Sequence, residues 1–207
     1  MGKCVIISSQ PVHRSMHLYV PPGAFVIAAD AGWQRARELG IEPDLVLGDF
    51  DSAPAPQTGI EVLRLPAEKD DTDTHFAARE AVRRGFAEVT ILGGTGGRPD
   101  HTLANYATLL YLAKNGVENL LADEHSEAQC IGPGTLHIAE RRQCYLSVFA
   151  AGGPAYGVYL AGVKYPLHNA NLTPDYPLGT SNEFDGPQAG ITVQKGHLLV
   201  VVTNKDV

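Results

Sequence analysis

The sequence has little basic charge, few cysteines and no long apolar run, and each shortage excludes a class of protein. Its 207 residues include 16 Lys or Arg against 23 Asp or Glu, a net charge of −7, so it lacks the basic excess of a nucleic-acid-binding surface. No apolar run approaches the roughly 20 residues of a membrane-spanning helix, and no signal-peptide pattern opens the chain. We therefore expect a cytoplasmic location, with neither a nucleic-acid partner nor membrane association.

The cysteines argue against both disulfides and zinc. Cys4, Cys130 and Cys144 are odd in number and form no CxxC pair. Disulfide-stabilised secreted domains use an even set, and structural zinc sites use closely spaced pairs. A reducing compartment fits this pattern.

The first 122 residues alternate short β-branched runs with helical patterns. Such runs predict buried parallel strands, and the alternation predicts an α/β domain with a mainly parallel sheet flanked by helices. In the last helical pattern, apolar residues fall on one helix face. The predicted strands cover 5–7, 25–29, 45–47, 62–63, 89–92 and 120–121, the helical patterns cover 33–39, 72–84 and 101–114, and the apolar face of the last comprises Leu103, Tyr106, Ala107, Leu110 and Ala113.

The pattern changes near residue 125. From about residue 127 the helical period disappears, and short alternating segments are separated by Gly, Pro and Asp clusters typical of turns. This predicts a small all-β sandwich. We therefore predict two domains, 1–124 and 125–207, with alternating segments at 135–138, 145–149, 158–160, 191–193 and 198–202.

Aspartates follow several of the predicted parallel strands. Asp30 follows the second strand, Asp49 and Asp51 follow the third, residues 70–73 follow the fourth, and a glycine-rich segment at 93–101 follows the fifth. Ligands of open parallel sheets bind outside the carboxyl ends of the strands. Because clustered carboxylates repel one another unless a cation compensates, the pattern predicts a Mg²⁺ ion that also touches phosphate.

Helix capping is the alternative explanation for an aspartate that precedes a helix. For Asp71 and Asp100, capping accounts for the residue as well as ligation does. Asp49 and Asp51 are separated by one residue, and in an extended segment this spacing points both carboxylates to the same side. We therefore favour this pair as metal ligands.

The glycine-rich segment reads Gly-Gly-Thr-Gly-Gly-Arg at 93–98. It lacks the Gly-Lys-Ser/Thr ending of a P-loop, and Pro99 stands where a dinucleotide fingerprint needs its third glycine. A tight turn is the alternative. Closely spaced glycines let backbone N–H groups approach phosphate, and Arg98 adds a bidentate donor, so we favour phosphate binding. We also expect Lys69, beside the carboxylate run, to contact phosphate or substrate.

Several segments, taken together in their order and spacing, resemble the signatures of the thiamine pyrophosphokinase family. In the first half these are Gly-Asp-Phe-Asp-Ser at 48–52, Lys-Asp-x-Thr-Asp at 69–73 and Gly-Gly-Arg-x-Asp-His at 96–101. In the second half, residues 162–167 and 178–184 resemble the β-domain of the family's bacterial branch. The resemblance extends from about residue 28 to 202.

The resemblance implies a function for each half. An α/β domain, 1–124, would bind ATP and hold the catalytic residues, and a β-sandwich, 125–207, would bind thiamine and form a homodimer whose active site is shared between subunits. It implies Asp49, Asp51 and Asp73 as Mg²⁺ ligands, with Asp30 beside them; Asp73, Arg98 and Asp100 as catalytic groups; Gly96, Gly97 and Lys69 at phosphate or substrate; and Ser181 and Asn182 reaching thiamine from the other chain.

The implied reaction is attack of the thiamine hydroxyl on the β-phosphorus of ATP, giving thiamine diphosphate and AMP. Such a transfer asks mainly for positioning and charge neutralisation. Asp73 or Asp100 is available to assist the hydroxyl proton, and the sequence does not choose between them. The alternatives are a diphosphokinase of another hydroxymethyl heterocycle, a sugar-nucleotide transferase with Asp49-Phe50-Asp51 as its DxD motif, and a non-catalytic thiamine or nucleotide sensor.

Overall fold

The computed structural model describes residues 2–50, 59–66 and 70–206. The chain divides into two compact units, Met1–Glu124 and His125–Val207. None of the described helices is both long and apolar enough to cross a membrane.

A parallel sheet forms the centre of the first unit. Strands within this unit follow the spatial order β6-β5-β1-β2-β3-β4, and every neighbouring pair is parallel. The strands are β1 (Lys3–Ile7), β2 (Phe25–Ala29), β3 (Leu45–Gly48), β4 (Glu61–Arg64), β5 (Glu88–Leu92) and β6 (Glu118–Ala122), and the helices are a 3₁₀ helix (Arg14–Tyr19), α1 (Gly32–Glu38), α2 (Asp73–Arg83) and α3 (Pro99–Lys114).

Burial explains why these strands read as continuous apolar runs. All four residues of β3 are buried, as are the last four of β1, β2 and β5, because helices cover a parallel sheet on its faces. The 3₁₀ helix is absent from the predicted elements, whereas the three α-helical patterns are confirmed.

The apolar face predicted for α3 is not its most buried face. Leu103 on that face is 67% exposed, and the residues buried on α3 are Asn105, Thr108, Leu109 and Leu112. The two polar ones are satisfied locally: Asn105 Nδ2 donates to Gly94 O at 2.6 Å and Thr108 Oγ1 donates to Ala104 O at 3.0 Å. Because polar residues can be buried when they are hydrogen-bonded, a search for apolar periodicity does not detect this face.

In its described part, the second unit contributes two sets of four antiparallel strands, ordered β12-β9-β14-β7 and β11-β10-β13-β8. Buried residues of both sheets form one cluster, with Leu146 and Val200 from one sheet and Leu160 and Ile191 from the other. The strands are β7 (Ser126–Ile131), β8 (Gly134–Ala139), β9 (Cys144–Ala150), β10 (Ala155–Ala161), β11 (Leu167–Leu172), β12 (Gly179–Asn182), β13 (Gln188–Val193) and β14 (Leu198–Asn204).

The predicted fold class is therefore confirmed in a coarser form. Helices accompany parallel pairs in the first unit and pairs are antiparallel in the second, so the pairing over the chain as a whole is mixed. The alternating segments predicted after residue 134 all lie in strands.

Candidate active site

The loops that follow β2 and β3 lie against each other at the carboxyl edge of the sheet. Asp30 N donates to Leu47 O at 2.7 Å. A Cβ atom placed on Gly48 would lie 3.1 Å from Cα of Asp30, so any larger residue would crowd the Asp30 backbone. Asp30 and Asp49, which follows Gly48 directly, are thus carried by adjoining loops.

Two residues at this edge have left-handed backbone conformations. Asp30 has a φ of 51° and Phe50 a φ of 58°, a region that non-glycine residues occupy at a cost and mostly at functional sites. The extended conformation predicted around Asp49 is therefore wrong at Phe50, where the chain turns. Phe50 packs under Arg64, whose guanidinium carbon is 5.3 Å from the ring centroid. Asp51 lies outside the described residues.

Asp73 is the first residue of α2, and the start of this helix is tied to the end of β1. Thr72 Oγ1 accepts a hydrogen bond from His75 N at 3.2 Å and so caps the helix; the capping role considered for Asp71 is wrong. The Oγ atoms of Ser8 and Thr74 are 2.7 Å apart, and both residues are about 6% exposed. This buried hydroxyl pair fixes the helix end that carries Asp73.

Asp71 and His75 have other partners. Arg79 Nη1 donates to Asp71 Oδ2. His75 Nδ1 is 2.9 Å from Thr108 Oγ1 on α3, and burial lowers the pKa of its imidazole. A neutral His75 therefore links α2 to α3.

The predicted metal ligands are only partly covered by the structure. Asp49 and Asp73 are described, whereas Asp51 is not. Within the described ranges, no three His, Cys, Asp or Glu side chains group closely enough to hold a metal ion. The predicted trio of ligands stays a prediction, and Lys69 also lies outside the described residues.

The glycine loop, residues 93–97, packs against the segment that follows β1. Gly93 and Gly97 have φ values of 64° and 62°. A Cβ on Gly93 would lie 2.7 Å from Gln10 O, and one on Gly97 would lie 2.5 Å from Gln10 Oε1. Gln10 N also donates to Gly93 O at 3.0 Å. The backbone conformation favours glycine at both positions, and at Gly93 the close approach of the Gln10 backbone oxygen does so as well.

Two side chains hold the middle of the glycine loop. Asn105, 4% exposed on α3, donates its amide N–H to Gly94 O at 2.6 Å. Thr95 Oγ1 donates to Asp123 Oδ2 at 2.6 Å, just after β6. The loop is thus fixed before any ligand arrives, which suits backbone donors aimed at phosphate.

Arg98 and Asp100 form a bidentate ion pair at the start of α3. Arg98 Nη2 and Nε lie 2.6 and 3.2 Å from the two carboxylate oxygens of Asp100. Asp100 lies inside the first turn and is not the residue at the N-cap position, which is Arg98. The hydrogen bond from Arg98 lowers the pKa of Asp100 to about 2. While so paired, Asp100 is ionised and a weak proton acceptor.

Ser181 and Asn182 differ sharply within the second unit. Ser181 is exposed with a φ of 57°. Asn182 is 3% exposed. Its Oδ1 accepts from Tyr165 N at 3.0 Å and Glu183 N at 2.9 Å, and its Nδ2 donates to Tyr165 O at 2.7 Å. The geometry gives Asn182 the role of holding Tyr165.

Apolar side chains surround a small cavity next to these residues. Tyr165 is 60% exposed and Leu178 is 44% exposed. The cavity has a volume of about 150 Å³ and is lined by Leu160, Tyr165, Leu167, Leu178, Gly179, Thr180 and Asn182. The neighbouring Glu183 pairs with Lys205 and Lys164 at 2.5 and 3.0 Å, and these hydrogen bonds lower the pKa of Glu183, that from Lys205 most.

Comparison with known families assigns both units. A family model described as thiamin pyrophosphokinase, catalytic domain, matches residues 17–121, just over half of the chain. The chain belongs to the thiamin pyrophosphokinase family. A second model of the family, the vitamin B1 binding domain, matches residues 135–198. The residues after β1, including Ser8 and Gln10, lie before the first match.

Individual relatives agree with the family assignment. The chain is 30% identical over 182 residues to thiamine pyrophosphokinase of Bacillus subtilis, covering 84% of this chain and 85% of the relative. A crystal structure of the Bacillus subtilis enzyme is similar at a TM-score of 0.89 and 27% identity, with 98% and 99% of the two chains covered. A thiamin pyrophosphokinase structure from Geobacillus thermodenitrificans gives 0.83 and 27%, with 98% and 97% covered.

The predicted site residues fall into three groups. Asp30, Asp49, Asp73 and the glycine loop lie at the carboxyl ends of the parallel strands, with Arg98 and Asp100 directly after them; Asp51 and Lys69 lie outside the described residues; Ser181 and Asn182 belong to the second unit. Sequence reasoning missed Ser8 and Gln10, although both follow a predicted parallel strand and the same strand-end rule applies to them. It gave no role to Thr74, for which no sequence signal stood out, or to Tyr165, although Tyr165 lies in the segment 162–167 that resembles the family.

Proposed function

We propose that this protein transfers diphosphate from ATP to thiamine. The hydroxyl oxygen of thiamine attacks the β-phosphorus of ATP, the bond from that phosphorus to the oxygen bridging it to the α-phosphate breaks, and AMP leaves with that oxygen. The hydroxyl proton is released, and the products are thiamine diphosphate and AMP. Membership of the thiamin pyrophosphokinase family in both halves of the chain carries this proposal.

The glycine loop and Arg98 are assigned to the phosphates. The loop is held by Asn105 and Thr95, so its backbone donors need no rearrangement, and preorganised donors are the main source of charge stabilisation in such sites. Arg98 follows the loop directly and is exposed, with 69% of its side chain accessible. Its guanidinium neutralises charge that develops on the transferred group.

Mg²⁺ is assigned to the carboxylates of Asp49, Asp51 and Asp73, with Asp30 beside them. Asp49 directly follows β3 and Asp73 begins α2, and carboxylate oxygens are the donors that Mg²⁺ prefers. When bound, the ion would supply positive charge to the phosphate oxygens. Of the described residues, the chain holds Asp30 and Asp49 on adjoining segments after β2 and β3 and Asp73 at the start of α2.

Asp100 is assigned to the thiamine cation and not to proton abstraction. While Arg98 is paired with it, its pKa is about 2, and at the ordinary pKa of an aspartate it is still ionised at neutral pH and a weak base. A loose transition state places little demand on a general base, whereas an anionic side chain suits the positively charged thiazolium. Asp73 remains the alternative acceptor for the hydroxyl proton.

The second unit is assigned to thiamine binding, with two subunits sharing each site. Support comes from the vitamin B1 binding match over residues 135–198 and from the exposed Tyr165 and Leu178 beside the exposed Ser181. Apolar side chains with a few polar groups are typical of small-ligand sites. In this proposal Ser181 contacts thiamine, and Asn182 acts through Tyr165.

A single incubation tests the reaction. Purified protein is mixed with Mg²⁺, ATP and thiamine, and the nucleotides are separated by chromatography. We expect AMP whose formation depends on thiamine. Formation of ADP, or of AMP at a rate independent of thiamine, contradicts the proposal. Replacement of thiamine by other hydroxymethyl heterocycles tests the nearest alternative, and a nucleotide sugar tests the DxD transferase.

A further inference from the structure

Gln10 lies beyond the family match and touches the glycine loop of the proposed phosphate site. It follows β1, seven positions before residue 17, where the catalytic-domain match begins. Its backbone N–H donates to Gly93 O at 3.0 Å. Its side chain lies over Gly97, so Gln10 spans the glycine loop from its first residue to its last.

The contact with Gly97 orients the amide of Gln10. From the position of a Cβ on Gly97, the amide oxygen is 2.5 Å away and the amide nitrogen 3.4 Å. The amide nitrogen thus lies further from this position than the amide oxygen does. An amide nitrogen carries two N–H donors.

In the described part of the chain the half-buried Gln10 makes no side-chain hydrogen bond, and its amide atoms are not among the buried ones that lack a partner. The amide is therefore open to solvent and to a ligand. Arg98 is the next residue after Gly97, so the Gln10 amide lies beside the arginine assigned to phosphate. An accessible amide with unused donors is suited to an oxygen of a ligand.

We propose that Gln10 is a further substrate-binding residue, whose amide Nε2 donates to a phosphate oxygen of ATP at the glycine loop. This rests on the proposed function, because it uses the same phosphate site. The neutral amide adds a donor without adding charge, and the glycines at 93 and 97 are the positions that allow it to approach. The proposal extends the site to a segment that precedes the family match.

The first test compares Gln10→Ala with the isosteric Gln10→Glu. Loss of a hydrogen bond to a charged group corresponds to a change on the order of 10-fold or more in affinity, so we expect Gln10→Ala to raise the KM and Kd for Mg-ATP by that factor. Gln10→Glu should raise them further because a carboxylate repels phosphate. The KM for thiamine, measured at saturating ATP, should stay unchanged. Thermal unfolding of each variant checks that the fold is intact.

The control for charge is Gln34→Glu. Gln34 is exposed on α1, and a surface substitution of this kind is expected to change the Kd for Mg-ATP by about twofold or less. If Gln10→Ala and Gln10→Glu also stay within that factor, Gln10 does not bind phosphate and the inference is overturned. If the unaltered protein binds no ATP, the proposed function fails as well.

The second test separates ligand binding from shaping of the loop. Gly96→Ala and Gly97→Ala both place alanine at positive φ, 84° and 62°, but only Gly97→Ala meets Gln10, because nothing lies within 4 Å of a Cβ on Gly96. In a Gln10→Ala background that contact is absent. Gly97→Ala should then raise the Kd for Mg-ATP by no more than Gly96→Ala does. If Gln10 donates to phosphate, the double variant keeps the weak ATP binding of Gln10→Ala; recovery of the unaltered affinity would mean that Gln10 only shapes the loop.

Discussion

Thr74→Val removes a buried hydroxyl while keeping the shape of the side chain. The Oγ atoms of Ser8 and Thr74 are 2.7 Å apart and both residues are about 6% exposed, so the valine leaves the Ser8 hydroxyl without this partner. Such a loss costs about 1–3 kcal/mol, which lowers the unfolding midpoint on the order of 5 °C. Because Asp73 precedes Thr74 at the start of α2, we also expect a higher Mg²⁺ concentration at half-maximal activity.

Three variants make this prediction specific. Thr74→Ser keeps the hydroxyl and should preserve the Mg²⁺ requirement. Ser8→Ala combined with Thr74→Val removes both hydroxyls and should cost less than the two single changes added together. Thr135→Val breaks an exposed hydroxyl pair, Thr135 to Thr192 at 2.8 Å, and should cost about 0.5 kcal/mol or less. If Thr74→Val is as mild as Thr135→Val by thermal and denaturant unfolding, the buried pair does not fix Asp73.

Three further predictions concern the carboxylates and the second unit. Asp49→Asn and Asp73→Asn should each lower kcat by on the order of 100-fold or more with circular dichroism unchanged; near-normal turnover would remove them from the metal site. The pKa of Glu80 is lowered to about 2, chiefly by hydrogen bonding from an arginine of α2. Ionised Glu80 should therefore stabilise the fold fully above pH about 4.5 and progressively less towards pH 2. In Glu80→Gln, the free energy of unfolding should depend less on pH over this range. Asn182→Ala should raise the KM for thiamine by releasing Tyr165, and in a shared site its mixture with Asp73→Asn should regain activity in subunit-exchange assays.

The sequence predicts those parts of the fold whose buried residues form an apolar pattern along the chain. The strands β1, β2, β3 and β5 are buried along most of their length and read as continuous apolar runs. The strands β11 and β12, with the sequences LHNANL and GTSN, are polar and were not predicted. The strand β11 pairs with β10 directly before it, whereas β12 pairs with β9 some way back in the chain. In both cases the strand is formed by its pairing and not by an apolar pattern of its own.

The site was predictable to the extent that it follows strand ends. That rule placed Asp30 and Asp49 at one edge of the sheet, where adjoining loops carry them. It could not give the conformation of Phe50, because a φ of 58° is set by surrounding contacts and not by the residue itself. Nor could it assign different roles to Ser181 and Asn182. Only the three-dimensional structure shows that the Asn182 side chain is hydrogen-bonded to Tyr165 and Glu183.

The proposed phosphate site combines a fixed glycine loop with an ion pair, Arg98–Asp100, that can change partners. The glycine loop is held by Asn105, by Thr95 and by the packing of Gln10, so its backbone donors lose little freedom when phosphate binds. Arg98 and Asp100 are instead exposed and paired with each other, and an exposed ion pair adds little net free energy. In the proposed reaction, phosphate would therefore draw Arg98 away from Asp100 at small cost. The Asp100 carboxylate would lose the hydrogen bond that lowers its pKa, but an aspartate at its ordinary pKa is still ionised at neutral pH and available to the thiamine cation.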